Sequence, residues 1–280
     1  MKIGLALGAG GARGLAFIVI LEAFEELGIK PSIISGASIG AIVGAAYAAG
    51  LDTKQMRAAV DELVETKNGR FWEIYKKSDL IKLLEFIDPN TKSGGILKGE
   101  KIINYFKSHV KIKKFEELKI PLLVVATNYW EKKQEVLSKG DLLSAVKASY
   151  SLPGIFTPVS RNGKLLIDGG MVNPLPFDVI SEKCDLTIAI DVSAKLNNKD
   201  AGMPPAHEVL FSAFQIMQNS ILSAKLMRST PNILIKTDIK EIRMLEFLKA
   251  KEIYKQAVPF KDQLKSKLEL VLKKKPYLNS

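Results

Sequence analysis

Short apolar runs alternate with stretches of helical periodicity along most of the chain. The apolar runs have the length of buried strands, and they lie at residues 2–7, 33–35, 121–128, 164–167, 185–192 and 232–236. Between them, apolar residues recur every three or four positions, which predicts helices at residues 15–27, 39–49, 53–66, 141–149 and 206–228. Alternation of strands with helices is typical of an α/β fold.

The segment from residue 67 to residue 110 is less regular. Its pattern predicts an amphipathic helix over residues 71–86, a loop over 88–95 and a second helix over 99–110. Aromatic and lysine side chains are mixed along this segment. We expect an ordinary helical layer here, with a lid over a binding site as the alternative.

The composition is that of one globular domain. The chain has 280 residues, 47% hydrophobic and 25% charged, and no linker rich in proline, glycine or serine divides it. Residues 1–8 lack a signal-peptide pattern and no apolar stretch is long enough to span a bilayer, so we expect a soluble cytoplasmic protein. With one cysteine, Cys184, and two histidines, the sequence indicates no metal site and no other cofactor.

The charge is strongly positive, and the excess lies near the C-terminus. The net charge is +11, and residues 249–275 carry nine lysines against three acidic residues. Leu264, Leu268 and Val271 recur among them at helical spacing, which predicts a basic amphipathic helix. This helix either packs on the domain by its apolar face or makes peripheral contact with an anionic membrane. No nucleic-acid partner is expected, because zinc-finger spacing and aromatic RNA-binding signatures are absent.

Candidate chemistry begins at Ser38, in the pattern Gly36-Ala37-Ser38-Ile39-Gly40 between a predicted strand and a predicted helix. A nucleophilic serine needs a turn so sharp that its neighbours tolerate almost no side chain, and Gly36 and Gly40 meet that need. The helix that follows directs its free amides and the positive end of its dipole at the serine. The same pattern occurs where helices pack closely on strands in ordinary α/β units, so by itself it leaves both interpretations open.

A glycine loop at residues 8–14 joins the first predicted strand to the first helix. Strand, glycine loop and helix also open a dinucleotide-binding fold, but the acidic residue expected at the end of its second strand is missing here. A P-loop is excluded, because no Gly-Lys-Ser or Gly-Lys-Thr follows the glycines.

The same loop has a different use if Ser38 is a nucleophile. Attack on an ester carbonyl creates an oxyanion, which needs preorganised backbone donors. Consecutive glycines direct several amides at one point, so Gly10 and Gly11 are the candidate donors, with a contribution from Ile39. Arg13 either anchors the loop or attracts an anionic head group.

Asp168 is the candidate carboxylate. It ends a predicted strand and precedes Gly169 and Gly170, which let another chain segment approach within hydrogen-bond distance. His109 lies among lysines near the end of a predicted helix, so we interpret it as a surface residue and not as a general base.

In order and in approximate separation, these motifs resemble those of the patatin-like phospholipases. They are Gly10-Gly11-Ala12-Arg13-Gly14, Gly36-Ala37-Ser38-Ile39-Gly40 and Asp168-Gly169-Gly170, with further similarity at Ala126-Thr127, residues 148–158 and Asn173-Pro174-Leu175-Pro176. The resemblance covers about residues 1–195 and is greatest to small bacterial esterases of that family. One difference is Ala9, where the family often has a glycine. Because alanine is also small, we expect a modest effect on the loop.

The resemblance implies a three-layer α/β sandwich with a central, mostly parallel sheet, related to the α/β hydrolases. It also implies a serine hydrolase with a catalytic dyad, in which Ser38 is the nucleophile and Asp168 its partner. The substrate would be a fatty acyl ester, such as a phospholipid, a lysophospholipid or a simple carboxylic ester, cleaved through an acyl-serine intermediate. Such a dyad requires either burial that raises the pKa of Asp168 or an oxyanion hole that supplies most of the rate.

Two other functions stay open at this point. They are a nucleotide-binding α/β oxidoreductase, suggested by the glycine loop, and a catalytically silent module that binds lipid surfaces, suggested by the basic C-terminal helix. For the domain organisation, we expect a catalytic core of residues 1–195 and a C-terminal helical extension of residues 196–280 packed on the same domain.

Overall fold

The computed structural model describes residues 1–65, 100–193, 203 and 206–274. The helix predicted over residues 71–86 and the loop predicted over 88–95 lie outside these residues, as does most of the segment considered as a lid. The other predicted helices and strands are present, and the helix predicted over residues 39–49 has the predicted bounds.

An eight-stranded sheet forms the centre of the described structure. Its strands are β1 (Ile3–Leu7), β2 (Ile33–Ala37), β3 (Leu122–Asn128), β4 (Lys133–Leu137), β5 (Val159–Arg161), β6 (Lys164–Asp168), β7 (Leu186–Asp191) and β8 (Ile233–Lys236). Hydrogen-bonded pairs link β5 to β6, β6 to β3, β3 to β2, β2 to β1, β1 to β7 and β7 to β8, and β4 pairs with β3 along the edge opposite β2 and β6. The pairs that join β1, β2, β3, β7 and β8 are parallel, whereas β4, β5 and β6 add antiparallel pairs. The sheet is therefore mixed and mostly parallel, which confirms the predicted fold class.

Helices connect the strands in the order that the periodicity predicts. They are α1 (Ala16–Glu26), α2 (Ile39–Ala49), α3 (Thr53–Glu65), α4 (Glu100–His109), α5 (Leu142–Tyr150), α6 (Asp178–Ser181), α7 (Ala206–Arg228) and α8 (Ala250–Lys274). The helix predicted from residue 15 begins one residue later, because Gly11–Leu15 winds into a tighter 3₁₀ turn. Gly28 and Gly50 follow α1 and α2 with φ of 63° and 98°, the left-handed conformation that ends helices at glycine.

The helices cover both faces of the sheet. Side chains of successive residues in a strand point to opposite faces, and β1 shows the division clearly. Leu5 and Leu7 join the apolar cluster formed with α1, α2 and α8. Ala6 lies in a second cluster, with Phe177 beside α6 and Leu222 of α7. The result is a three-layer sandwich with the sheet in the middle.

The C-terminal segment contributes to the same sheet and the same core. Strand β8 pairs in parallel with β7, and α8 packs along α1. Leu264 and Leu268 of α8 are fully buried. The boundary expected between residues 195 and 196 lies outside the described residues, so the division into core and extension stays a prediction.

Of the two interpretations of the basic helix, the structure shows the packed one. Lys261 and Lys265 lie 2.8 Å and 2.6 Å from the carboxylate oxygens of Glu26 on α1, and Lys261 also contacts Glu22. Two of the lysines that make this helix basic are therefore paired within the molecule.

Candidate active site

Ser38 stands at a sharp turn between β2 and α2. Its backbone has φ of 55° and ψ of −123°, a strained conformation for a residue other than glycine. The turn closes only because Gly36 and Gly40, two positions before and after Ser38, lack side chains. A Cβ on Gly36 would lie 2.4 Å from the carbonyl oxygen of Gly40, and a Cβ on Gly40 would lie 2.2 Å from that of Leu7. The glycines therefore have the role that the sequence pattern predicts.

Strand β3 brings Ser38 and Asp168 together. One edge of β3 pairs with β4 over Val124–Asn128, so both β2 and β6 must lie on its other edge. On that edge the last residue of β2, Ala37, is opposite Val125, and the last residue of β6, Asp168, is opposite Ala126. Two strands that run in opposite directions thus end against each other at adjacent positions of β3, and the residues at their ends meet.

The contact between the two side chains is a direct hydrogen bond. The hydroxyl of Ser38 donates to Oδ2 of Asp168 at 2.7 Å. The other carboxylate oxygen, Oδ1, accepts the amide of Gly170 at 2.7 Å. The main chain at Asp168 is held as well, because its carbonyl accepts the hydroxyl of Thr127 and its amide donates to the carbonyl of Ser151. The carboxylate is therefore fixed in position before any ligand binds.

Burial makes this carboxylate more basic than an ordinary aspartate. Asp168 is only 3% exposed, and the loss of solvation raises its pKa to about 6. The hydrogen bonds from Ser38 and Gly170 lower the pKa, but by less than burial raises it. The requirement that burial raise the basicity of Asp168 is met.

The paired glycines let β3 approach the carboxylate closely. A Cβ on Gly169 would lie 2.0 Å from the carbonyl oxygen of Val125. A Cβ on Gly170 would lie 2.9 Å from Cβ of Ala9 and 3.0 Å from Oδ1 of Asp168. The additional methyl group of Ala9 is therefore accommodated because Gly170 has none.

The amides of the glycine loop divide into two groups. Those of Ala9 and Ala12 donate to the carbonyl oxygens of Pro174 and Met244, at 2.7 Å each. Those of Gly10, Gly11 and Ile39 make no hydrogen bond within the described part of the chain. All three residues line the cavity that holds Ser38 and Asp168. Their amides are therefore free donors at the cavity that holds Ser38, and they stay the candidate oxyanion donors.

Gly11 is specifically suited to this loop. Its φ of 60° is left-handed, and a Cβ there would lie 2.2 Å from the carbonyl oxygen of Met244. Gly14 allows a second close approach, because a Cβ there would lie 2.4 Å from the side chain of Ile39. The loop and the first turn of α2 are thus packed against each other.

Arg13 anchors the glycine loop to two later segments of the chain. Its side chain is 1% exposed and donates to the carbonyl oxygens of Val192, at 3.1 Å, and Ile242, at 2.9 Å. Burial lowers the pKa of Arg13 to about 10, and nearby Asp191 opposes that shift. Of the two roles considered for Arg13, the structure shows the anchor, because a buried guanidinium does not meet a head group in solvent.

Ser149 is a site residue that the motifs do not identify. Its hydroxyl accepts the amide of Ser38 at 2.9 Å and donates to the carbonyl of Val125 at 2.6 Å. The amide of Ser38 itself is therefore occupied, and the candidate oxyanion donors are those of other residues. The sequence feature that could have identified Ser149 is its position near the end of α5, within residues 148–158, the segment that resembles the family.

The cavity beside Ser38 is mostly apolar. Its empty volume is about 650 Å³, part of it open to solvent. Besides the residues already named, α4, α5 and the loop after α5 line it with Ile102, Tyr150, Leu152 and Phe156. Such a lining suits a hydrocarbon chain next to a small number of polar groups.

Part of the cavity wall comes from the C-terminal segment, where the sequence motifs give no guidance. Gln218 of α7 and three residues before α8, Met244, Leu245 and Phe247, line it. Gln218 is 7% exposed, although it lies in a helix whose apolar residues would be expected to take the buried positions. Only the structure shows that this glutamine is buried and that it lines the cavity.

Other features considered in the sequence lie away from the cavity or are not found among the described residues. His109 does not line the cavity, and its ring contacts Glu62 and Tyr105. Among the described residues, no group of three or more histidine, cysteine, aspartate or glutamate side chains is placed to hold a metal ion. None of the helices in the described ranges is both long and apolar enough to cross a bilayer.

Comparisons with known proteins agree with this geometry. A family model described as patatin-like phospholipase matches residues 5–180. An uncharacterized NTE family protein of Mycobacterium tuberculosis is 36% identical over 202 residues, which cover 72% of this chain and 51% of that protein. Lysophospholipase NTE1 of Kluyveromyces lactis is 29% identical over 280 residues, which cover 90% of this chain and 18% of that protein. The chain thus spans about half or less of the length of these relatives.

The structure of VipD from Legionella pneumophila superimposes with a TM-score of 0.51 and 17% sequence identity, over 94% of this chain and 66% of that one. This likeness concerns the fold alone. The family match contains the glycine loop, the turn at Ser38 and the strand that ends at Asp168, and the structure joins all three at one cavity. The chain belongs to the patatin-like phospholipase family.

Proposed function

We propose that this protein is a serine hydrolase that cleaves fatty acyl esters of lipids, with Ser38 as nucleophile and Asp168 as its base. The observation that carries the proposal is the 2.7 Å hydrogen bond from the Ser38 hydroxyl to a buried carboxylate, beside a mostly apolar cavity. Membership of a phospholipase family supports the substrate class, since a relative is described as a lysophospholipase. Phospholipid, lysophospholipid and simple carboxylic esters share the reacting carbonyl.

The reaction proceeds in two steps through an acyl-enzyme. In the first, Oγ of Ser38 attacks the ester carbonyl carbon while its proton passes to Asp168. The oxyanion that forms accepts hydrogen bonds from the free amides of Gly10, Gly11 and Ile39, each of which contributes about 3 kcal/mol in comparable sites. Collapse of the intermediate breaks the bond to the alcohol, which leaves with the proton that Asp168 had accepted.

In the second step, water replaces the alcohol. Asp168 accepts a proton from the water, which attacks the acyl-serine carbonyl, and the same donors stabilise the second oxyanion. The fatty acid is released, and the proton returns to Oγ of Ser38. A pKa of about 6 places the carboxylate in its basic form at neutral pH, while burial keeps it basic enough to accept a proton transiently.

Site-directed variants test the proposal. Ser38→Ala and Asp168→Asn are each expected to lower the turnover of a chromogenic acyl ester by about a thousandfold or more, because each removes one half of the dyad. Ser266→Ala and Asp262→Asn are matched controls, because both residues are exposed on α8. Full turnover by either dyad variant would contradict the assignment.

A fluorophosphonate probe separates the hydrolase from the catalytically silent alternative. Such probes phosphonylate an activated serine, so wild type and Ser266→Ala are expected to be labelled and Ser38→Ala is not. Absence of labelling in a folded wild-type protein would favour a silent module. The nucleotide-binding alternative loses support from the family match, and binding of a nicotinamide dinucleotide would restore it.

A further inference from the structure

Helix α7 departs from the pattern of an ordinary amphipathic helix on both of its faces. Its buried positions include two glutamines, Gln215 and Gln218, each 7% exposed. Its outward positions carry four large apolar side chains that are between 46% and 54% exposed: Val209, Leu210, Ile216 and Met217. Burying polar groups and exposing apolar ones both cost free energy, so we expect the outward face to have a use.

The four exposed side chains lie on one side of α7, and the surface that they form is here named the α7 face. Val209 and Ile216 are seven residues apart, as are Leu210 and Met217, which places each pair on the same side of the helix two turns apart. No charged residue occurs between residues 209 and 224. The α7 face therefore lies on a stretch of the helix that carries no charge, between Glu208 and Lys225.

The α7 face lies close to residues that line the cavity. Gln218, next in the chain to Met217, lines the cavity itself. At the start of the helix, Glu208 forms an ion pair of 3.0 Å with Arg243, whose neighbour Met244 also lines the cavity. Leu210 lies within 4.0 Å of the position that a Cβ on Gly154 would take, in the loop that supplies two further wall residues.

We propose that the α7 face is the surface by which this protein docks on a phospholipid bilayer, with the cavity entrance directed at the lipid. A helix whose residues 209–224 carry no charge, and which does not qualify as a membrane span, is suited to lie at the boundary between head groups and acyl chains. The net charge of +11 complements an anionic leaflet. The choice of a lipid surface, and not a protein partner, rests on the proposed function, because a lipid ester substrate would enter from that surface.

Vesicle binding tests this surface separately from catalysis. Binding is measured by co-sedimentation with vesicles of phosphatidylcholine and phosphatidylglycerol. The Ser38→Ala protein is compared with the α7 variant, which carries Ile216→Ser and Met217→Ser in the same background. We expect Ile216→Ser with Met217→Ser to weaken binding about tenfold or more, because two apolar side chains no longer leave water. The loss persists at high salt, since screening acts on charges and not on apolar contact.

Two matched controls sit on other surfaces. Val258→Ser with Leu270→Ser removes comparable side chains on α8, which are 44% and 60% exposed. This control is expected to change vesicle binding less than about twofold, which is the usual range for substitutions at neutral surface positions. Trp130→Ser removes the 73% exposed indole in the turn between β3 and β4. Equal losses from the α7 variant and from either control would overturn the proposal.

Two further measurements complete the test. If wild type is a dimer by light scattering and the α7 variant a monomer with unchanged vesicle binding, the face is a self-association surface and the proposal is wrong. In the background with Ser38 intact, the ratio of activity on vesicles to activity on a soluble short-chain ester is expected to fall about tenfold in the α7 variant. Vesicle binding that depends on α7, in a protein with no esterase activity, would support docking and contradict the proposed function.

Discussion

At the scale of single residues, Asp168 combines two demands that oppose each other. Burial raises its pKa to about 6, which makes it a better base but penalises its ionised form in the folded protein. Because the folded pKa lies above the ordinary value of 3.8, the stability that this group contributes is fully present below about pH 4 and is lost as the pH rises through about 6. At neutral pH the site therefore holds a carboxylate that destabilises the fold.

The substitution Asp168→Asn measures that cost. At pH 8 we expect the variant to be more stable than wild type by about 1–3 kcal/mol, because a neutral amide carries no penalty for a buried charge. Near pH 5 the difference shrinks, since wild type is then largely protonated at this position. Urea unfolding at the two pH values gives the comparison, with exposed Asp262→Asn as the control. A difference that does not change with pH would contradict this account.

At the scale of elements, the turn between β2 and α2 depends on how closely α2 approaches β1. Gly40 and Gly44 lie one turn apart in α2, yet their surroundings differ. A Cβ on Gly40 would lie 2.2 Å from the backbone oxygen of Leu7, whereas the nearest atom to a Cβ on Gly44 is 3.2 Å away, in the side chain of Ile34. Backbone cannot move aside as a side chain can, so only Gly40 is required by packing.

The pair Gly40→Ala and Gly44→Ala tests this difference. Alanine favours a helix over glycine by about 1 kcal/mol, so Gly44→Ala is expected to be neutral or slightly stabilising. Gly40→Ala is expected to lose about 1–3 kcal/mol of unfolding free energy, because α2 must move away from β1. Ester hydrolysis should fall in the same variant, since Ser38 moves with the helix. Equal stability of the two variants would show that the helix is not held this closely.

At the scale of the whole molecule, the C-terminal segment completes both the core and the cavity. Helix α8 covers α1, β8 extends the sheet, and Gln218, Met244, Leu245 and Phe247 line the cavity wall. An independent core of residues 1–195 would lose the buried side chains that α8 adds to the cluster containing Phe17 and Ile20, among them Leu264 and Leu268. We therefore expect the two predicted parts to fold as one unit.

Truncation after residue 195 tests that expectation. We predict that the fragment lacks a cooperative thermal transition and binds an apolar dye, because an exposed core face does not stay ordered in water. Full-length protein is the control for both measurements. A fragment that unfolds cooperatively and hydrolyses a soluble ester would show that the core is autonomous.

The sequence by itself determined the local structure of this protein. The periods of apolar residues, the glycines after α1 and α2, and the patterns around Ser38 and Asp168 report backbone conformation over a few residues, and local sequence encodes that directly. These patterns were enough to predict most elements and an α/β fold, and the family resemblance that the motifs carry implied the sandwich architecture and the candidate dyad.

Only the tertiary structure decided which of these residues meet. Register along β3 joins Ser38 to a carboxylate 130 positions away, and burial from several directions raises the pKa of Asp168. The anchoring of Arg13, the packing of α8 and the outward apolar face of α7 were decided in the same way. Contact and desolvation depend on every element that surrounds a residue, so no short stretch of sequence contains them.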